Sequence, residues 1–446
     1  MNESKLEEGS SVALFGFGVT GRSVATALVQ RNVSVVVFDD NPDNDMRGIA
    51  EGLGISLITP AESGGVEENM KTVDFAIPTP GLPESHDFFE CAARKGIPII
   101  SEFDLAAQWD DRPILAITGT NGKTTVSTMV DEMLQKSGVA SAMAGNSDIP
   151  LVSAIDNKEI ETIVVEASSF RLSQSQRFKP HVAAWLNFAP DHLNVHKDLE
   201  TYENAKKVIW RNLGSTGIAV ANIGDEIVRR NIPPSASTIT FGLSTGDSRV
   251  DDETLVVKEH PLLEVSELVR KAPHDILNAL AAATIAIEGG ATSKAIQEVL
   301  TTFSGLPHRM TYLGSSEGVG WYNDSKSTTP HSVAAAVQGF DNVVLIAGGQ
   351  NKGIDLSPLG LLDKHLKSVI ALGEVAEEIS QIFHKRVPVK TAETMENAVN
   401  LAYAQSQSGD LVILSPGCAS FDLYRNYKER GKHFSKLVDE MILRQP

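Results

Sequence analysis

The chain has 446 residues, which at roughly 150 residues per domain corresponds to about three domains and excludes a mini-protein or a lone binding module. Hydrophobic residues at 42% and charged residues at 22% have the balance of a globular protein rather than a disordered or fibrous one. Lys plus Arg number 39 against 57 Asp plus Glu, a formal charge of -18, so no nucleic-acid partner is expected, although a local cationic pocket for a small anion is.

The two cysteines, Cys91 and Cys418, are far apart and lack metal-ligand spacing, so neither a disulfide framework nor a zinc site is expected. The first residues lack the basic region and apolar core of a signal peptide, and no run of about 18 apolar residues occurs. These features predict a soluble cytoplasmic protein without membrane insertion.

Residues 12–15 are apolar and end at Gly16, Val24, Ala27 and Leu28 follow at helical spacing, and 33–38 form a second apolar run. That pattern reads strand, helix, strand. Runs at 73–77 and 97–100, each beside Gly or Pro, extend it into an α/β domain with buried parallel strands. The polar stretch Asp110-Asp111-Arg112-Pro113 marks a boundary, because proline disfavours helix at the residue before it.

A second α/β unit opens with a strand at 114–117, passes through a glycine-rich turn and continues as a helix over about 124–136. Strands are expected at 162–165, 182–186 and 218–220, and a buried helix of small side chains over 273–289. Ser304-Gly305-Leu306-Pro307 breaks the pattern, and runs at 343–346, 368–372 and 411–414 make a third doubly wound unit. The expected domains are therefore 1–111, 112–305 and 306–446.

Gly16-Phe17-Gly18-Val19-Thr20-Gly21 fits G-x-G-x-x-G between a strand and a helix, where glycines bring amides close to a diphosphate at a helix N-terminus. Asp39 ends the next strand, where a ribose-binding acid sits in dinucleotide enzymes. A tight turn with a solvated acid is the other reading. Gly119-Thr120-Asn121-Gly122-Lys123-Thr124-Thr125 is a stronger signal, because it follows a strand and starts a helix. Its amides can wrap polyphosphate, Lys123 can reach terminal phosphates and the Thr124 hydroxyl can hold Mg²⁺. With Ile117 where a first glycine belongs, the loop is shorter than a standard phosphate loop.

Glu166 ends a strand-like run and His192 lies just after another, positions from which acids and imidazoles reach a metal at the edge of a parallel sheet. The alternatives are a helix N-terminal acid and a hydrogen-bonded loop histidine. His308-Arg309, Asn323-Asp324-Ser325-Lys326 and Gly348-Gly349-Gln350-Asn351-Lys352 are polar clusters at element ends. Arg309 and Lys326 could neutralise phosphate charge; taken singly, each also reads as a surface ion pair.

In this order these motifs resemble the Mur ligase family of ATP-dependent amide-forming enzymes, over nearly the whole chain, with the shortened loop as the family signature. Glu166-Ala167-Ser168-Ser169-Phe170, Gly305-Leu306-Pro307-His308-Arg309 and Asn323-Asp324-Ser325-Lys326 look most like the branch that joins D-glutamate to UDP-N-acetylmuramoyl-L-alanine in peptidoglycan-precursor synthesis. The resemblance implies a Rossmann-like N-terminal domain for the UDP-sugar, a central P-loop ATPase-like domain for ATP and a Rossmann-like C-terminal domain for D-glutamate. It also implies a monomer with two Mg²⁺ ions and a carbamylated lysine.

Carried over residue by residue, Gly18, Val19, Thr20, Thr79 and Asn146 match positions that contact the UDP-sugar. Gly119 to Thr125 would hold ATP, Lys123 and Thr124 serving its phosphates and the first Mg²⁺, while Glu166 and His192 reach the metals. Asn278, Arg309 and Asp324 would contact the nucleotide, Lys326 would steady the phosphoryl and acyl groups, and Thr328, Lys352, Ser420 and Tyr427 match positions that hold D-glutamate. Lys206 matches the lysine that becomes a carbamate beside the second metal; without the resemblance it reads as a helix-surface cation near Glu203 and Glu200.

Three places depart from the family pattern: Asp40-Asn41 where Thr and Arg are usual, Asp275 after His274 where Asn is usual, and Thr329-Pro330 after Thr328. The implied mechanism phosphorylates the L-alanine carboxylate and lets the amine of D-glutamate displace phosphate, with domain closure during turnover. Rival readings are another Mur-type or folylpolyglutamate-type ligase, an NAD-dependent oxidoreductase built on Gly16 to Gly21, and a regulator that uses ATP as a switch.

Overall fold

The computed structural model describes residues 5–62, 65–70, 72–80, 82–83, 85–146, 149–193 and 195–443. Packing divides the chain into two compact units, one of residues 1–188 and 195–303, the other of residues 304–446 with 189–194.

The first unit begins with β1 (Ser11–Phe15), β2 (Ser34–Phe38), β3 (Ser56–Ile58) and β4 (Phe75–Pro78), a parallel sheet ordered β3-β2-β1-β4. The run at 97–100 does not add a strand; it contributes only the bridge Ala76↔Ile99. Pro98 has no N–H to give to a ladder, and Ser101 already caps the helix Glu102–Trp109 through a capping box with Asp104.

A second parallel sheet in this unit contains β5 (Ile114–Thr118), β6 (Ser141–Gly145), β7 (Thr162–Glu166), β8 (Val182–Trp185), β9 (Ile218–Asn222) and β10 (Ser237–Phe241). Their order is β10-β9-β8-β5-β7-β6. The chain thus crosses from one side of β5 to the other, which makes the carboxyl end of β5 a topological switch point where α/β sheets hold ligands. Ile-Leu-Ala-Ile-Thr of β5 is buried at every position, as a strand covered on both faces requires. The helix Pro273–Glu288 packs its alanines on one face of this sheet, starting with proline where a missing N–H costs nothing. A small antiparallel sheet follows β10: β11 (Arg249–Asp251), β12 (Thr254–Val257) and β13 (His260–Glu264).

Within this unit a buried carboxylate ties the two parallel sheets together. Asp104, 3% exposed, accepts from the backbone amides of Gln176, Arg177 and Phe178 as well as Ser101, so the helix after the first sheet clamps the loop before β8.

The second unit contains β14 (Thr311–Ser316), β15 (Val319–Asn323), β16 (Val343–Gly348), β17 (Leu366–Leu372), β18 (Val389–Ala392) and β19 (Leu411–Gly417), ordered β14-β15-β19-β16-β17-β18. Only β14 runs antiparallel. Strands β15, β19 and β16 lie side by side, so the segments 324–328, 349–352 and 418–420 leave the sheet at one edge. Among the described residues no helix is long and apolar enough to cross a membrane.

Candidate functional site

The glycine turn after β1 is held from two sides. A Cβ on Gly16, whose φ is +92°, would run into the Thr79 side chain after β4, so only glycine permits this approach. Asp39 is not a free strand-end acid: its Oδ2 accepts from the Phe17 amide at 2.7 Å and its Oδ1 from the Asn41 amide at 3.0 Å. It shapes the turn, and Gly18 then caps the helix Val19–Val29 with no side-chain acceptor over its first amides. Those amides and the exposed Val19 are open to an anion. Thr20 in that first turn accepts from Arg171 Nη2 at 3.0 Å.

The loop between β5 and the helix Lys123–Lys136 is fixed by Asn187, a residue sequence reading did not single out. Its carbonyl accepts from Thr120 N at 3.1 Å, its Oδ1 accepts from Asn121 N at 2.9 Å, and its Nδ2 donates to Asn121 O at 3.1 Å. Gly122 adopts φ +83°, and a Cβ there would lie 2.5 Å from Asn278 Oδ1, so Asn278 sits against the loop. Lys123 Nζ folds back over the loop to donate to Gly119 O at 2.8 Å and Thr120 O at 2.9 Å. Thr124 is half-buried in the helix's first turn.

Lys206 converges on the same loop. It is 1% exposed, its Nζ donates to Gly119 O at 2.8 Å, and it lies 4.5 Å over the Tyr202 ring, whose hydroxyl is 3.2 Å from Thr120 Oγ1. The surface-cation reading of Lys206 is therefore wrong: Glu203 is taken by Arg230 and Asn231, and Glu200 is exposed. The exposed cation on this helix is Lys207.

Glu166, at the end of β7 beside the loop, is 3% exposed. Asn146 Nδ2 donates to its Oε1 at 2.9 Å and Asn146 N to its backbone oxygen at 2.8 Å, while Oε2 is buried with no partner. An orphaned buried carboxylate oxygen is costly unless something cationic takes it, so Glu166 fits a metal ligand better than a helix-terminal acid. A small pocket near the start of the same helix is lined by Thr125, Met129, Leu268, Asp275, Asn278 and Phe303 among others. There the departure at Asp275 is absorbed by Arg270 at 2.9 Å and His274 at 3.5 Å.

In the second unit Asp324 is buried, accepts from Met310 N at 3.1 Å and Ser415 Oγ at 2.7 Å, and is pushed up to about 6 by desolvation, which these bonds and the charge of Arg309 only partly offset. Lys326 is half-buried, with Nζ 4.0 Å above the Tyr427 ring. Arg430, also missed in the sequence, clamps two strand-end segments from below. It is 2% exposed and donates to Ser325 Oγ, Ser325 O, Cys418 O and Ala419 O at 2.9–3.1 Å. Burial lowers its guanidinium to about 10 and pushes the Cys418 thiol up to about 12, so that thiol is inert.

Lys352 Nζ lies 3.8 Å from Asp191 Oδ1, and Asp191 also engages His192, through its amide at 2.8 Å and its Nε2 at 3.3 Å. Ser420 is buried and Thr328 half-buried at the same sheet edge. The departure at Thr329-Pro330 makes a helix start, Thr329 accepting from Ser332 N ahead of the helix Pro330–Val337. Thr20, Asn146, Lys123, Glu166, Lys206 and Asn278 belong to the first unit, and His192, Arg309, Asp324, Lys326, Lys352 and Tyr427 to the second. Among the described residues no three His, Cys, Asp or Glu side chains cluster as a metal cage.

Parallel sheets with a phosphate loop at the switch point of the larger one define a nucleotide-binding α/β protein. The model of the Mur ligase middle domain matches residues 117–286, and that of the Mur ligase glutamate ligase domain residues 308–418. Proteins named UDP-N-acetylmuramoylalanine–D-glutamate ligase from Desulfosudis oleivorans and Shouchella clausii are 35% and 36% identical, over 97% and 99% of both chains. Among solved structures, a pseudomurein peptide ligase type C from Methanothermus fervidus covers 97% of this chain and 100% of its own at TM-score 0.61 and 17% identity. MurF ligase from Thermotoga maritima in complex with ADP covers 84% of this chain and 98% of its own at TM-score 0.61 and 18% identity. The chain belongs to the Mur ligase family.

Proposed function

We propose that this chain is an ATP-dependent amide ligase that joins D-glutamate to UDP-N-acetylmuramoyl-L-alanine. The observation that carries the reading is the similarity, end to end, to proteins named for that reaction. The first helix turn Gly18, Val19 and Thr20, with Thr79 and Asn146, would receive the UDP-sugar. ATP would lie on Gly119 to Thr125, with Asn278, Arg309 and Asp324 as further contacts.

A carboxylate is a poor electrophile because attack on it would have to expel oxide. Its oxygen therefore attacks the γ-phosphorus of ATP, ADP leaves, and the acyl phosphate forms. The amine of D-glutamate, held by Thr328, Lys352, Ser420 and Tyr427, attacks the acyl carbon, and phosphate leaves as the amide forms. Two anions meet in the first step, and Lys123, Arg309 and Lys326 would offset their repulsion.

The unpartnered Oε2 of Glu166 beside the loop supports Mg²⁺ as a cofactor: Thr124 would hold the first ion, Lys206 as its carbamate would lie beside the second, and Glu166 and His192 would reach the metals. Mg²⁺ suits few protein ligands, since it retains waters and takes substrate phosphates, and it would supply charge neutralisation at the phosphates. The reading carries a cytoplasmic location, because ATP is a cytosolic substrate, and the monomer that the family resemblance implies.

Product analysis tests it. With ATP and UDP-N-acetylmuramoyl-L-alanine, D-glutamate should yield one phosphate per amide. Equal phosphate release with L-glutamate, or none with D-glutamate, would sink the proposal.

A further inference from the structure

Five residues after Glu166 in the chain, Arg171 lies on the short helix Ser169–Ser173 with only 7% of its surface exposed. One arm of its guanidinium, Nη1, pairs with the Glu102 carboxylate, itself 4% exposed, on the helix Glu102–Trp109. The other, Nη2, donates to Thr20 Oγ1 at 3.0 Å in the first turn of the helix that follows the glycine turn. The second oxygen of Glu102 accepts from Val152 N at 3.1 Å. One guanidinium thus joins the glycine-turn helix of the first sheet to the segment leaving β7 in the second, with Glu102 as its brace.

Stability does not account for this arrangement. A buried ion pair is a weak source of folding free energy, because desolvating both charges offsets their attraction. Arg171 Nε is moreover buried without any hydrogen-bond partner, which adds a desolvation cost. What the planar fork does supply is a fixed spacing between Thr20 and Glu102, which a single-point donor such as lysine cannot give.

We infer that Arg171 is a positioning residue for the UDP-sugar. Through Thr20 it sets where the diphosphate-binding helix terminus stands relative to the Glu166 end of β7, and therefore where the far end of the bound substrate falls beside the phosphate loop. Glu102 cancels its charge, so the guanidinium aligns rather than attracts. The inference rests on the ligase reading above, in which the glycine turn holds the UDP-sugar and the loop holds ATP. Misplacement of a reacting group by about 1 Å is enough to cost rate on the order of 10²-fold, which is the leverage such a residue has.

The test uses the full chain with Arg171→Lys and with the double substitution Glu102→Gln/Arg171→Gln, which leaves no unpaired buried charge if the lysine variant fails to fold. Steady-state kcat, expected to fall on the order of 10²-fold in a folded variant, and KM for each substrate are measured beside thermal unfolding and direct calorimetric binding of UDP-N-acetylmuramoyl-L-alanine without ATP. A folded variant should bind the UDP-sugar about tenfold or more weakly, with its KM rising in step, while the KM for ATP moves less than about twofold. Unchanged UDP-sugar affinity in a folded variant, with only the melting temperature lowered, would assign the pair a structural role and overturn the inference. Equal weakening of ATP and UDP-sugar would overturn it as well. Wild-type product formation is the separate control, since its absence would refute the ligase reading rather than the role of Arg171.

Discussion

Lys206 Nζ and Lys123 Nζ each donate to the carbonyl oxygen of Gly119 at 2.8 Å, so the two amines stand no farther apart than twice that distance. As two ammonium ions at an effective dielectric of about 20 they would repel by about 3 kcal/mol or more. Lys206 is the one that is almost wholly buried, and conversion to an anionic carbamate would turn that repulsion into attraction toward Lys123 and toward a cation. Arginine keeps its charge and does not deprotonate in proteins, so it cannot take up CO₂. Lys206→Arg should lose most ligase activity, while Lys207→Arg, on the exposed side of the helix, stays active. Near-normal turnover of Lys206→Arg at unchanged CO₂ would dispose of the carbamate.

Glu166→Gln separates the two oxygens of that side chain. Glutamine keeps an acceptor for Asn146 Nδ2 but replaces the unpartnered Oε2 with a donor that cannot bind a cation. The variant should fold with a melting temperature within a few degrees of the parent, and turnover should drop on the order of 10²-fold and need far more Mg²⁺. A Mg²⁺ titration of turnover that superimposes on the parent's would show that Glu166 holds no metal.

Much of this architecture was legible because parallel strands are covered on both faces and so read as unbroken apolar runs, as in β5, β7, β16 and β19. Strand β6, Ser-Ala-Met-Ala-Gly, escaped because its side chains are small and it draws its identity from pairing with β7. The run at 97–100 misled for the opposite reason: it is apolar, but Pro98 removes a ladder donor. At the site, glycines and strand-end acids announce themselves locally, whereas Asn187 holds Asn121 from 66 positions away, Arg171 pairs with Glu102 from 69 and Arg430 reaches Ser325 from 105. No local pattern marks a polar side chain that will be buried by distant chain. Lys206 is the clearest case, since nothing in Tyr202-Glu203-Asn204-Ala205-Lys206 says which of its polar residues turns inward.

Burial of Asp324 makes the second unit's stability pH-dependent in a defined direction. Its carboxyl rises from 3.8 to about 6 on folding, so the folded state binds a proton more tightly than the unfolded state. That contribution is fully present below about pH 4 and is lost as pH rises through about 6, a change on the order of 3 kcal/mol. Asp324→Asn removes the titration while retaining an acceptor for Met310 N and a donor toward Ser415. Urea unfolding of the full chain should therefore show the variant gaining on the parent between pH 4 and pH 7. Parallel stability profiles across that range would contradict the burial argument.

Lys352 provides the sharpest test of where the amino-acid substrate is held. Its side chain is 18% exposed, and its ammonium is 3.8 Å from Asp191, too long for a strong hydrogen bond, so the pair leaves donors for an incoming carboxylate. A charge-assisted bond to D-glutamate in a desolvated site contributes about 1.5–3 kcal/mol, which corresponds to roughly ten- to a hundredfold in binding. Lys352→Ala should raise the KM for D-glutamate by that factor. The KM for ATP should change far less, because Lys352 is not among the residues assigned to ATP. The alternative is that Lys352 only neutralises Asp191, in which case Lys352→Ala leaves that buried carboxylate with His192 as its partner but without the ammonium, and lowers stability without discriminating between substrates. Lys352→Arg distinguishes the two: it restores a positive charge beside Asp191, so a purely neutralising role predicts full recovery of both stability and KM. If the short ammonium is what seats the glutamate carboxylate, the arginine variant regains stability and still binds D-glutamate poorly. A KM for D-glutamate that stays at the parent value in both variants would remove Lys352 from the binding site.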